Sequence, residues 1–160
     1  MKTYNAFYES PIGTLKIIME GDSVSSIQFQ KEYTQADTPE HPSMKYLYKE
    51  LDAYFDGILK TFKSKILMNG SDFETKVWNE LRNIPYAQTK SYKDVAILLG
   101  DINSVRAVGG ANGRNRIPIL IPCHRVIGED GSLAGFSGGV ERKSWLLHHE
   151  GAIAEQLTIF

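Results

Sequence analysis

Ile117-Pro118-Ile119-Leu120-Ile121-Pro122-Cys123-His124-Arg125-Val126 is a nearly unbroken apolar run that delivers a cysteine, a histidine and an arginine in succession. Proline fixes φ and removes an amide donor, so Pro118 and Pro122 suit a segment buried without a full ladder of backbone partners. Such a segment would hold Cys123 firmly. It is the single cysteine of the 160 residues, which rules out an internal disulfide and leaves a thiolate zinc site with too few soft ligands. Cys123 is therefore either a small buried hydrophobe or a nucleophile. A free thiol titrates at about 8.5, so a nucleophilic role demands a neighbouring base or cation. His124 is next in sequence, although adjacency alone does not bring its ring to the sulfur.

Upstream of this run the pattern is helical. Ser71-Asp72-Phe73-Glu74 matches a capping box, and Phe73, Val77 and Leu81 line one face of a helix that ends near Pro85. Ser91 can cap a second helix carrying Tyr92, Val95, Ala96 and Leu99, stopped by Gly100. After Asp101-Ile102-Asn103 a third helix starts at about Ser104, with Val105 and Val108 facing inward. Two short helices joined by a tight turn suggest a helix-turn-helix. The outward face of the second member offers Arg106, Ala107, Gly110, Ala111 and Arg114, almost without long side chains between the arginines.

The first part of the chain reads differently. Tyr4 to Ser10, Thr14 to Glu20 and Val24 to Phe29 are β-prone runs separated by turn compositions, which predicts a small antiparallel meander. From Pro42, Met44, Leu47, Tyr48, Leu51, Tyr54 and Phe55 recur at helical spacing until Gly57, so one helix should cover the sheet. Gln30 to His41 reads as a linker, and Thr61 to Leu67 as a further strand. The expected class is α+β, a β-rich first part followed by a mainly helical one.

The net charge of −1 argues against a protein that coats nucleic acid indiscriminately. The charge is unevenly placed, however. Residues 87 to 126 hold Lys90, Lys93, Arg106, Arg114, Arg116 and Arg125 against only Asp94 and Asp101, so the flanks are acidic. One basic stripe fits one nucleic-acid face; a chance run of solvated charges is the alternative. No apolar stretch approaches the roughly 18 residues that cross a bilayer. A cytoplasmic protein is expected.

The Pro122-Cys123-His124-Arg125-Val126 core and its surroundings resemble the O6-alkylguanine-DNA alkyltransferase family. The resemblance runs from Phe73 to Gly151 through separated motifs: Val77-Trp78, Ile84-Pro85, Thr89-Lys90-Ser91-Tyr92, Arg106-Ala107-Val108-Gly109, Asn115, Gly135-Phe136-Ser137-Gly138-Gly139, and Lys143 with Trp145-Leu146-Leu147 and His149-Glu150-Gly151. Their joint occurrence in order is far more specific than the five-residue core alone. The family's β-rich N-terminal domain, which is ribonuclease H-like, is matched in outline by the first 65 residues. The implied organisation is 1–67 for that domain, 68–155 for the DNA-binding and alkyltransferase domain, and 156–160 as a tail.

The resemblance implies a single-turnover methylated-DNA-protein-cysteine S-methyltransferase, moving the alkyl group of O6-alkylguanine, and of O4-alkylthymine, irreversibly onto Cys123. It makes His124 the base, acting through a water, and Glu150 the carboxylate that orients it. Asn115 becomes a hinge whose amide bonds the recognition helix and the active-site turn. Tyr92 would donate to the bound base, Val126 would offer its carbonyl to the guanine amino group, and Phe136 and Ser137 would close the pocket, with Lys143 making a loop contact. Arg106, Ala107, Gly110, Ala111 and Arg114 would meet double-stranded DNA in the minor groove, whose width of about 6 Å favours small side chains. Arg106 would replace the rotated guanine in the stack. The implied protein is a monomer with no metal and no cofactor.

Two positions depart from the family pattern. Ala87 stands where a glycine is expected, and Arg116 where a proline follows the hinge asparagine. Three rival functions remain open from the residues. They are an alkyltransferase-like lesion-binding protein, which has tryptophan at the cysteine position, a helix-turn-helix transcription regulator, and a cysteine hydrolase.

Overall fold

A computed structural model describes residues 2–30, 41–133 and 135–153. Most of the expected linker, residues 31–40, and the expected tail, residues 156–160, lie outside the described residues.

Strands β1 (Thr3–Ser10), β2 (Gly13–Glu20) and β3 (Ser23–Gln30) form an antiparallel sheet in that order. Alternation places Leu15, Ile17 and Met19 of β2 on the buried face, with Ala6 opposite Ile17. Val24 and Ile27 are both buried although three apart. The register shifts between Ile18 and Met19, and such a bulge turns two residues of odd spacing to one face. Helix α1 (Pro42–Phe55) covers that face with Met44, Leu47, Leu51 and Tyr54.

The predicted strand at Thr61–Leu67 is reduced to a single parallel bridge between Val24 and Ile66, with Val24 N–H donating to Lys65 O and Leu67 N–H to Val24 O, both at 2.8 Å. The reason is a buried carboxylate. Glu50 of α1 accepts the backbone N–H groups of Lys63 at 2.7 Å and Ser64 at 2.9 Å, which draws the segment off the sheet.

Helix α2 (Asp72–Leu81) starts at Ser71 with both halves of a capping box in place. Strand β4 (Lys90–Ser91) leads into α3 (Tyr92–Leu98), which Ser91 and Asp94 cap in the same way. A 3-10 turn at Ile102–Ser104 connects to α4 (Val105–Gly113). β5 (Val126–Ile127) pairs parallel with β4, and α5 (Val140–Glu150) ends at Gly151 in the left-handed region. The indole N–H of Trp78 donates to Ala111 O at 2.9 Å and locks α2 onto α4. Buried residues of both halves form one continuous cluster that includes Leu15, Leu51, Trp78, Ile121 and Leu146. The cysteine-bearing run is buried throughout and belongs to that shared core. No helix among the described residues is long and apolar enough to cross a membrane.

Candidate active site

Asn115 shapes the apolar run. Its Nδ2 donates to Ile121 O at 2.9 Å and its Oδ1 accepts from Ile117 N–H at 3.0 Å, so one buried amide closes the loop 117–121. Contact with α4 is made by the Asn115 backbone N–H, which donates to Asn112 O at 3.3 Å. Ile119, between the two anchored ends, is held at φ +76°. That conformation costs a β-branched residue energy, so the closed loop must over-determine it. The chain then enters a 3-10 turn, Cys123–Arg125, with all three side chains buried.

His124 Nε2 lies 2.8 Å from Glu150 Oε2, and both side chains are fully buried. Glu150 is the last residue of α5, delivered inward where Gly151 turns the chain. Burial alone would raise the Glu150 carboxyl, but His124 and Arg125 outweigh it and hold the group well below the usual carboxylate range. An ionised carboxylate only accepts, so Nε2 carries the imidazole hydrogen and Nδ1 is the basic nitrogen. Nδ1 is buried and meets no protein partner among the described residues. Desolvation pushes the His124 pKa down and the interaction with Glu150 partly restores it, so the ring is neutral near pH 7.

The Cys123 thiol is pushed up to about 11 by burial, against the lowering influence of Asn115 and Lys143. The resting sulfur is thus protonated. Lys143 is 0% exposed. Its Nζ donates to Val126 O and lies 3.4 Å from the Tyr92 hydroxyl. Desolvation lowers its pKa to about 8, and the cysteine favours its charged form. The expected loop contact is therefore an interior amine whose charge acts on the sulfur. Val126 O already accepts one bond, and a carbonyl has two lone pairs.

The remaining expected residues sit around this centre. Tyr92 is half-buried at the start of α3, and Gly135 approaches it so closely that a Cβ there would lie 2.8 Å from the tyrosine oxygen. Gly135 also has φ +70°, so the position needs glycine on both counts. Phe136 is buried against Phe29 of β3 with ring centroids 5.7 Å apart, while Ser137 is exposed. Ser137 and Asn115 line an open cleft along β3 with Arg116.

On α4, Arg106 and Ala107 face solvent. Ala111, expected on the outward face, is fully buried. It shares the inward arc with Val108 and Asn112 under Trp78, because residues three and four apart share one helical face. Gly110 lies beneath the Arg114 guanidinium, which pairs with Glu74 at 2.6 Å yet stays 60% exposed. Arg125, counted in the basic stripe, is absent from the surface. Its Nε and Nη2 donate to Glu150 at 2.8 and 3.0 Å, and Nη1 donates to Ile84 O at 2.7 Å.

The sequence signature described as the 6-O-methylguanine DNA methyltransferase DNA binding domain matches residues 72–152, and that of the ribonuclease-like domain of the same enzyme matches residues 3–67. The chain belongs to the 6-O-methylguanine DNA methyltransferase family. A methylated-DNA-protein-cysteine methyltransferase of Methanosarcina acetivorans is 38% identical over 154 residues, covering 93% of this chain and 99% of that protein. The crystal structure of Mycobacterium tuberculosis O6-methylguanine methyltransferase superposes with a TM-score of 0.85 at 36% identity, covering 96% of each chain. A structure of the Mycobacterium tuberculosis protein in complex with DNA gives 0.83 at 37% identity, covering 91% of this chain and 92% of that one. The neighbourhood of Cys123 in this family member includes two residues left without a site role by the sequence. Tyr54, read as core, donates its hydroxyl to Glu150 Oε2 at 2.6 Å. Asn112 is buried on α4 and its Nδ2 lies 3.3 Å from both Cys123 O and Gly135 O. Arg125, read as part of the basic stripe and of the motif core, joins them as the partner of Glu150. A polar side chain four residues after the inward Val108 was the available signal for Asn112; for the Tyr54 hydroxyl there was none.

Proposed function

We propose that Cys123 of this methyltransferase takes the alkyl group from O6 of guanine in double-stranded DNA, once per molecule. Direct-reversal repair by alkyl transfer is the activity of the family, and DNA is its partner. The observation that carries the residue assignment is the buried turn Cys123–Arg125, in which His124 is fixed through Nε2 to Glu150 and keeps Nδ1 without a protein partner.

In this reading the thiol proton passes through a water to His124 Nδ1 while Sγ attacks the alkyl carbon. The S–C bond forms as the C–O6 bond breaks. Guanine leaves with a proton from the Tyr92 hydroxyl, replenished by Lys143, and solvent then restores His124 and Lys143. Because burial keeps the resting thiol neutral, the proton moves with the transfer and a free thiolate does not accumulate. Displacement at an alkyl carbon draws on no metal or cofactor. The product is a thioether, which lacks the activated carbonyl that lets water release an acyl-enzyme, so the protein is spent.

Asn115 holds the cysteine run, Val126 and Ser137 offer polar groups to the base, and Phe136 walls the pocket. Arg106, Ala107 and Gly110 of α4 would meet the minor groove, Arg106 filling the stack behind the extruded base, with Arg114 at the margin near a phosphate. The same pocket would accept O4-alkylthymine. The protein would act as a cytoplasmic monomer, with residues 1–67 and 68–155 as its domains and 156–160 as a tail; the two family signatures falling at 3–67 and 72–152 support that division.

Mixing the protein with excess duplex carrying O6-methylguanine should yield product equal to the active protein, with a mass gain of one methylene on the peptide containing Cys123. Cys123→Ala should give no product and still bind duplex, because phosphate and groove contacts lie elsewhere. Linear product formation beyond one equivalent, or transfer by the variant, would reject the assignment.

A further inference from the structure

Tyr54 is tied at both ends to consecutive residues of α5. Its backbone carbonyl accepts from His149 Nε2 at 2.7 Å, and its hydroxyl donates to Glu150 Oε2 at 2.6 Å. The ring is 0% exposed and packed by Phe55, Phe62, Tyr86 and His149. Core packing accounts for the ring. It does not account for the hydroxyl, which lands on the one carboxylate oxygen that faces His124.

We propose that Tyr54, carried by the helix of the N-terminal half, is a positioning residue for alkyl transfer, setting through Glu150 how readily His124 takes up the thiol proton. The inference rests on the roles given above to Cys123, His124 and Glu150. Glu150 Oε2 accepts from Tyr54, from His124 Nε2 and from Arg125 Nη2, while Oε1 accepts from Arg125 Nε. A carboxylate offers about two lone-pair sites on each oxygen, so Oε2 is fully engaged while Oε1 keeps one. Each donor on Oε2 withdraws charge that would otherwise stabilise an imidazolium at Nε2.

The groups facing the pair are Tyr54 from α1, Arg125 from the turn, Tyr86 from the loop after α2, and Lys143 and His149 from α5. With the fixed charge of Arg125 present, Glu150 stays ionised whether or not Tyr54 donates. Loss of the hydroxyl therefore leaves more charge on Oε2, and His124 becomes a cation at higher pH. A protonated His124 cannot accept the thiol proton.

Single-turnover alkylation of Cys123 by free O6-benzylguanine, followed by intact mass from about pH 5 to pH 8, tests this across the histidine range. Tyr54→Phe keeps the ring, and its acid limb should move to higher pH by about 0.5 to 1. Replacing Tyr54 alone by 3-fluorotyrosine, a stronger donor of nearly the same shape, should move the limb to lower pH. Thermal melting is recorded for both, since a purely structural hydroxyl would change stability and slow the reaction equally at every pH. If both profiles keep the wild-type midpoint, Tyr54 has no positioning role. If Tyr54→Phe does not fold, the fluorotyrosine protein alone decides. Should the wild-type protein itself fail to alkylate Cys123, the assignment of the site fails first, and this inference with it.

Discussion

Ala87 and Ile119 are the two described residues other than glycine with positive φ, at +66° and +76°. They differ in cause. Ile119 is held by the Asn115 bridge over 117–121, so its strain belongs to the loop that presents Cys123. Ala87 stands where the family pattern expects glycine, and its side chain is exposed. A left-handed conformation costs an L-residue about 1 to 2 kcal/mol, against roughly 0.5 to 1 kcal/mol for the extra freedom glycine loses on folding. Ala87→Gly should therefore stabilise the protein by about 0.5 to 1 kcal/mol, read as a higher urea midpoint at constant slope. A lower midpoint would show that the loop gains more from the alanine than the backbone loses.

Helix α4 and the loop after β5 carry glycines that differ in what surrounds them. A Cβ on Gly138 would lie 2.7 Å from ring carbons of both Phe136 and Phe29, which tie the loop to β3. Overpacking of that kind costs about 1 to 3 kcal/mol, so Gly138→Ala should lower the urea midpoint and slow transfer as Phe136 is pushed off its seat. On Gly109 of α4 a Cβ would meet only the Tyr92 ring at 3.8 Å, an ordinary contact. There alanine gains about 0.8 to 1 kcal/mol of helix propensity, and Gly109→Ala should raise the midpoint. Equal effects of the two substitutions would show that space around the loop does not decide its closure.

Across the whole molecule, the buried cluster of Glu150, His124, Arg125 and Tyr54 joins α1, the cysteine turn and α5, and its charges couple the fold to pH. The His124 pKa is lowered in the folded protein, so the unfolded chain binds the extra proton first and stability falls as pH drops through the ordinary value of 6.5. The Glu150 pKa is also lowered. Its contribution is complete above the ordinary value of 4.5 and is lost as pH falls below that toward the folded value. The two losses add, and the wild-type melting temperature should decline from about pH 6.5 and more steeply below about pH 4.5. Glu150→Gln leaves the Arg125 cation buried without its counter-charge, which costs about 3 to 5 kcal/mol at neutral pH. Its melting temperature should be lower at pH 7 and should decline less steeply below about pH 4.5, where the surface carboxylates Asp22, Glu74, Asp94 and Asp130 still contribute. An unchanged acid profile in the variant would remove Glu150 from that role.

Local signals were enough for the meander, for the capped starts of α2 and α3, and for the helix-turn-helix, because alternation, capping boxes and glycine stops act over a few residues. The ordered motifs around Pro122-Cys123-His124-Arg125-Val126 were enough for the family. Ala111 and Thr61–Leu67 went the other way for tertiary reasons: Trp78 covers the first, and Glu50 takes the amides that a strand at the second would have used. Only the packed chain shows that Arg125 serves a buried carboxylate, that Lys143 lies inside against Val126 O, and that the hydroxyl of Tyr54 reaches Glu150 across 96 residues of sequence. A charged side chain carries no local mark of whether it will meet water or a counter-charge. The packing of α5 against the cysteine turn and α1 decides that.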